Sequence, residues 1–214
     1  MKRKYILTLC LPLLFLGFAT GCSDDSAPVA RSSISPELTP DAIQATITMQ
    51  DGGKITLELY PDIAPQSVRN FVYLAKQGFY DGLTFHRIMS GFMIQGGCPT
   101  NSGTGNPGYS IKGEFAENGF ENNLKHERGV LSMARGNTYD SAGSQFFIMH
   151  ESNAGLNGKY AAFGKVIDGM DVVDKLAATP VIDNNGTVDK TIRPVIRSIT
   201  IDSDVELPEP NKLG

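Results

Sequence analysis

Lys54-Ile-Thr-Leu-Glu-Leu-Tyr60 alternates apolar and polar residues with period two, as a strand with one buried face does. Short strand-like segments recur along the chain and are the strongest constraint on its fold. Thr46-Ile-Thr-Met-Gln50 is a weaker partner, joined through the hairpin signal Asp51-Gly-Gly53. Thr84-Phe-His-Arg-Ile-Met89 and Phe92-Met-Ile-Gln95 form a second pair broken by Ser90-Gly91. Gly129–Ala134, Gln145–Met149, Ala161–Ile167 and Val195–Ile201 are further strand candidates. Helical spacing appears in only two places. Val68, Phe71, Val72 and Ala75 form one face of a helix that Pro65 can start and Gly78 can stop. Met170–Ala177 is a shorter amphipathic segment. Many short strands with two distant helices suggest an α+β domain or a closed β-barrel and do not suggest alternating βαβ units.

The first residues are an address rather than part of this fold. Lys2-Arg3-Lys4 precedes an apolar run from Tyr5 to Ala19, too short for the roughly 20 residues of a membrane-spanning helix. A basic start, a short apolar core and small residues describe a secretory signal over 1–21. Its end, Ala19-Thr20-Gly21-Cys22, resembles a bacterial lipoprotein box, with Ala where Leu is usual. That resemblance implies cleavage before Cys22 and lipidation of its sulfur. The chain would then be exported and anchored, facing the periplasm or the cell exterior. Ser23, rather than Asp, follows the cysteine, which resembles outer-membrane sorting if the cell is Gram-negative. Residues 22–41, rich in Ser, Pro, Asp and Thr, read as a flexible tether. The domain then spans 42–203, and 204–214 reads as a disordered tail.

Composition removes other classes. A length of 214 residues fits one domain with tails, and a net charge of −4 argues against coating nucleic acid. Three widely spaced Cys do not form a disulfide framework or a zinc cluster. Gly103-Thr-Gly105-Asn-Pro-Gly108 matches a dinucleotide fingerprint literally, but Pro107 and Gly108 prevent the helix that motif must open. His86, His126 and His150 lack ligand spacing, so neither a metal nor a cofactor is expected. Cys98 reads as an ordinary thiol, and Asn185-Gly-Thr187 as an unused glycosylation sequon in a bacterial chain.

One string carries chemistry: Phe85-His-Arg-Ile-Met-Ser-Gly-Phe-Met-Ile-Gln-Gly-Gly97. Arg87 is a permanent cation and Gln95 an amide, on strands flanking a turn, with Phe92 and Met93 between them. By alternation Met93 and Gln95 share a face. This set offers a strong donor, an adaptable amide and an apolar floor, without nucleophile or general base. It points to binding, or to a reaction that breaks no bond.

The string resembles the cyclophilin peptidyl-prolyl isomerases. The likeness continues through Leu124-Lys-His126, Gly129–Ala134, Gly143-Ser-Gln-Phe-Phe-Ile148, Leu156-Asn-Gly-Lys-Tyr160 and Phe163-Gly-Lys-Val166. It implies a mainly β domain, an eight-stranded antiparallel closed β-barrel capped by two α-helices. It implies catalytic roles for Arg87, Phe92 and Gln95. Met93, Phe147 and Leu156 would complete a proline pocket, and Ala134 and Arg135 would line the groove for the preceding residue. Arg135 departs from the family's usual Asn, and Tyr160 stands where many members carry a pocket His. Gly155 replaces the Trp of drug-sensitive members, so weak cyclosporin binding is expected. The partners implied are proline-containing polypeptides, met by a monomer, with the membrane reached through Cys22.

Overall fold

The computed structural model describes residues 42–202 and 204–214. The proposed signal, the lipidated Cys22 and the tether lie outside the described residues. Eight strands appear: β1 (Ile43–Met49), β2 (Lys54–Leu59), β3 (Phe85–Met89), β4 (Met93–Gly96), β5 (Val130–Met133), β6 (Phe146–Met149), β7 (Ala162–Asp168) and β8 (Ile196–Ile201). Helix α1 spans Pro65–Lys76 and helix α2 spans Met170–Ala177. All named pairings are antiparallel, in the order β3-β4-β6-β5-β7-β2-β1-β8. The sheet curls into a half-barrel. Its edge strands meet at a short seam, where Thr84 bridges Val195 and the Phe85 and Ile196 amides donate to Pro194 and Leu83.

Alternation separates the two surfaces of this sheet. Ile43, Ala45, Ile47 and Met49 of β1 face inward while the residues between them are half-buried. Inside, Phe71 and Tyr80 pack with Phe146, Phe85 and Phe163, and the Phe71 and Phe146 rings meet edge-on at 5.3 Å. The barrel is therefore filled and cannot hold a ligand at its centre. A second, smaller apolar cluster forms on the outer wall from Met93, Val130, Phe147, Met149 and Ala162, joined by Phe92, Leu156 and Tyr160.

Pro65 opens α1, and Gly78, at φ +66°, follows its end. No side chain within the first turn caps this helix. Glu114, 48 residues away from Gln66, supplies the cap instead. Its carboxylate accepts from the Gln66 and Ser67 amides, both at 2.8 Å, and from the Ser67 hydroxyl at 2.7 Å. These are helix-end donors that need a partner. α1 packs on β8 and β7, and α2 on β2, β3 and β4.

The tail does not follow the sequence expectation. Residues 204–214 run back over α1 instead of being disordered. Val205 and Leu207 pack on the core, Pro210 is buried, and Leu213 pairs with Ser110 through two backbone hydrogen bonds. The Lys212 ammonium lies 4.4 Å from the Tyr73 ring centre. Two prolines and four charges in the segment suggest a solvated strand of chain, but its spaced apolar residues find sites on a surface that no local pattern reveals.

Candidate active site

Strand register builds the site. Arg87 pairs with Gln95, Gln95 with Phe147, and Phe147 with Ser132, so four residues from β3, β4, β6 and β5 form one row across the outer wall. The next row is Met89, Met93 and Met149. Because side chains alternate along each strand, both rows face outward over the second apolar cluster. The nine residues expected at the site, Arg87, Phe92, Met93, Gln95, Ala134, Arg135, Phe147, Leu156 and Tyr160, all line one groove of about 230 Å³. Met93 and Phe147 form its buried floor, and the Tyr160 ring meets Phe147 edge-on at 5.8 Å. Gly155 lies beside Leu156 in a short 3₁₀ turn at the rim.

The Arg87 guanidinium is half-buried and held from several directions. Nε donates to the Asn185 carbonyl at 2.8 Å, and Nη1 to Gln95 Oε1 at 3.3 Å. The remaining contacts are soft: Nη2 lies 3.0 Å from the Met89 sulfur and Nη1 3.8 Å from the Met93 sulfur. Burial lowers the guanidinium's pKa, opposed by the nearby Tyr160 and Asp183. An arginine starting above 12 stays charged at neutral pH. One strong backbone bond thus fixes the group, while its outer N–H donors rest on thioethers, which are weak acceptors.

The other walls have their own supports. His126 stacks on Phe147 at 6.0 Å, its ring 18° from parallel. Asn157 Oδ1 already accepts the His126 amide at 2.8 Å, so it also accepts Nδ1–H at 3.2 Å, leaving Nε2 to accept a hydrogen bond from the Ser132 hydroxyl at 3.0 Å. Burial lowers the pKa of this imidazole, with the Asn157 bond opposing. It is a structural histidine that backs the pocket's phenyl ring. Gln95 Nε2 donates to Gln145 Oε1, and Gln145 donates in turn to the Gly103 and Gly105 carbonyls. The loop at Gly103 and Gly105 turns its amides onto Cys98 Sγ at 3.2 and 3.3 Å. Burial pushes that thiol up, but the bonds from Thr100, Gly105 and Gly103 outweigh it and bring its pKa down to about 7.

A second pocket of about 260 Å³ adjoins the first and shares Gln95, Ala134 and Arg135 with it. Among the described residues no group of three or more His, Cys, Asp or Glu side chains comes together to hold a metal. Sequence reasoning missed Met89, Asn185 and Cys98 as parts of this neighbourhood. Nothing local in the sequence says that the Asn185 carbonyl reaches an arginine 98 residues away.

Comparison with known proteins agrees with this geometry. The family model described as "Cyclophilin type peptidyl-prolyl cis-trans isomerase/CLD" matches residues 44–201. The chain is 49% identical over 145 residues to peptidyl-prolyl cis-trans isomerase B of Bacillus subtilis, covering 68% of this chain and 93% of that protein. It is 43% identical over 159 residues to a Helicobacter pylori peptidyl-prolyl cis-trans isomerase, covering 73% and 94%. A crystal structure of a Cryptosporidium parvum cyclophilin type isomerase, in the presence of the dipeptide Ala-Pro, superposes with a TM-score of 0.66. It is 34% identical and covers 75% of this chain and 99% of that one. From the filled half-barrel, the outer-wall groove and this family match over nearly all the described strands, the chain belongs to the cyclophilin-type peptidyl-prolyl cis-trans isomerases.

Proposed function

We propose that this isomerase acts on X-Pro bonds of exported polypeptides, with Arg87 as the catalytic group. Rotation about a peptide bond faces a barrier of about 18–20 kcal/mol from amide resonance. X-Pro bonds populate both isomers but exchange over tens to hundreds of seconds. In the twisted transition state resonance is lost and the proline nitrogen gains a lone pair. A guanidinium N–H of Arg87 donates to that lone pair, an interaction the planar ground state lacks, so binding is differential. Phe92, Met93, Phe147, Leu156 and Tyr160 hold the ring, Gln95 holds the chain that turns, and Ala134 and Arg135 flank the preceding residue. No bond breaks and no cofactor takes part. The observation that carries this reading is the placement of Arg87 and its soft donors at the rim of the apolar groove. The test is NMR exchange on an Ala-Pro peptide: wild type no faster than Arg87→Ala overturns it.

The leader supports export and anchoring. Cleavage before Cys22 and acylation of its sulfur would tether a monomeric domain on the outer side of the inner membrane, or on the outer membrane of a Gram-negative cell. Two or more acyl chains anchor stably where one does not. Labelled palmitate on the protein, with globomycin-sensitive processing, tests this; no label on Cys22 refutes it. Weak cyclosporin binding is proposed from Gly155, and a Gly155→Trp variant should bind the drug more tightly by titration. Assistance of folding outside the cytoplasm follows from location and chemistry together.

A further inference from the structure

Among the described residues Arg135 has no acidic partner. Its guanidinium carbon lies 4.8 Å from the Tyr160 ring centre, 5.1 Å from Phe115 and 5.3 Å from Tyr139. Nε donates to the Lys159 carbonyl and Nη1 to the Gly136 carbonyl, both at 3.0 Å. Among the described residues Nη2 makes no hydrogen bond, and no carboxylate lies within 4.0 Å of the group. The nearby Glu117 carboxylate instead accepts from the Tyr139 hydroxyl at 3.3 Å. Three rings and two carbonyls thus hold a cation in one orientation, so little side-chain freedom remains to be lost on binding an anion.

Its position gives that cation a use. Arg135 lines both the proline groove and the adjoining pocket, on the ridge between them. Every charged residue lining either pocket is an arginine, Arg87 or Arg135, although the whole chain carries −4. The substrate surface is locally positive on an acidic protein. A polypeptide with proline in the first pocket and its preceding residues in the second must cross Arg135.

We propose that Arg135 is a specificity-determining residue that selects substrates with an Asp or Glu side chain shortly before the isomerising proline. The carboxylate accepts from Nη2 at the ridge, while the rings keep the guanidinium in place. Arg87, at the other end of the groove, stays with the rotating bond. This rests on the groove assignment made above and names the substrate class that the groove prefers.

The experiment compares three peptides that differ in one residue: Glu two residues before proline, Gln at that position, and Glu two residues after proline. Exchange rates by NMR give kcat/KM for wild type, Arg135→Gln and Arg135→Lys at low and high salt. The expected wild-type ratio of the first peptide to the second is about fivefold at low salt, as for a partly exposed ion pair, and shrinks as salt rises. Arg135→Gln brings the ratio to about one, and Arg135→Lys retains part of it. Glu after proline gives no gain. A wild-type ratio of one, a ratio unchanged in Arg135→Gln, or a gain confined to Glu after proline overturns the proposal. If Arg135→Gln does not fold, the Arg135→Lys ratio decides, since an unaltered value there also counts against it. Loss of turnover on all three peptides would refute the isomerase reading instead. Chemical-shift titration of the same peptides would then still report whether the acidic one binds more tightly.

Discussion

Gln95 Nε2 donates to Gln145 Oε1 at 3.0 Å, and this bond links the groove to a buried sulfur. Gln145 is itself fixed by two 2.9 Å bonds to the Gly103 and Gly105 carbonyls, whose residues donate their amides to Cys98. The chain of contacts therefore runs from Cys98 through the glycine loop to the amide that meets Arg87.

Cys98→Val keeps the volume but removes the acceptor. It should lower kcat about tenfold while the folded domain remains, because Gln95 loses its orientation. Cys98→Ser restores an acceptor and should recover most of the rate. Steady-state kinetics beside thermal unfolding separate this from a general loss of stability, and equal rates for Cys98→Val and wild type would refute the relay.

Arg87→Lys should lose about a hundredfold in kcat/KM, close to Arg87→Ala. An ammonium cannot keep the Asn185 carbonyl bond at Nε and still present a fixed N–H to the proline nitrogen. The exchange assay checks this directly, and a lysine variant within a fewfold of wild type would sink it.

Gly186 sits at φ +83°, and its carbonyl accepts from the Ile88 amide at 2.7 Å. A Cβ there would collide with the Ile88 carbonyl oxygen. Gly186→Ala should displace the Asn185 carbonyl from Arg87 and reduce turnover about tenfold, with a stability loss of about 1–3 kcal/mol. Urea unfolding and kinetics on one preparation measure both.

His86 is buried behind Arg87 on β3, with both ring nitrogens lacking a hydrogen-bond partner. Burial and the Arg193 charge depress its pKa to about 4, with a Thr84 backbone contact opposing them and the Arg87 charge lowering it further. A depressed imidazole costs nothing above the unfolded value of 6.5, where both states are neutral. As pH falls from 6.5 towards 4, only the unfolded chain takes up the proton, so stability declines by about 2–3 kcal/mol. Urea midpoints should fall over that window. His86→Leu should flatten part of the slope, the rest belonging to groups such as His126, which burial also depresses.

Removing residues 206–214 should cost about 2 kcal/mol, from the lost burial of Leu207 and Pro210 and the Ser110–Leu213 pairing. Turnover of the folded remainder should be unchanged, since the segment lies against α1. Calorimetry and the exchange assay test the two halves of that statement.

Local pattern made much of this architecture legible. Short strand-like segments, of which Lys54–Tyr60 alternates most clearly, match all eight strands within a few residues, and Pro65 and Gly78 bound α1. Alternation in the Phe85–Gly97 string puts Met93 and Gln95 on one face, and the strand register adds Arg87 opposite Gln95. What sequence hid depends on long-range contact. Glu114 caps α1 from 48 residues away, Asn185 braces Arg87 through a carbonyl that any residue would offer, and Cys98 matters through backbone amides. The course of residues 204–214 is hidden because a docked segment with few apolar residues has the same composition as a free one.

Both pockets open on the outside of a filled barrel, not into a tunnel or a closed chamber. A target chain can be laid in sideways and lifted out again, so it needs no free end and need not be threaded. A proline in a surface loop of an almost finished protein is then as accessible as one in a nascent strand. Work on such a loop can stop the moment neighbouring structure closes over it.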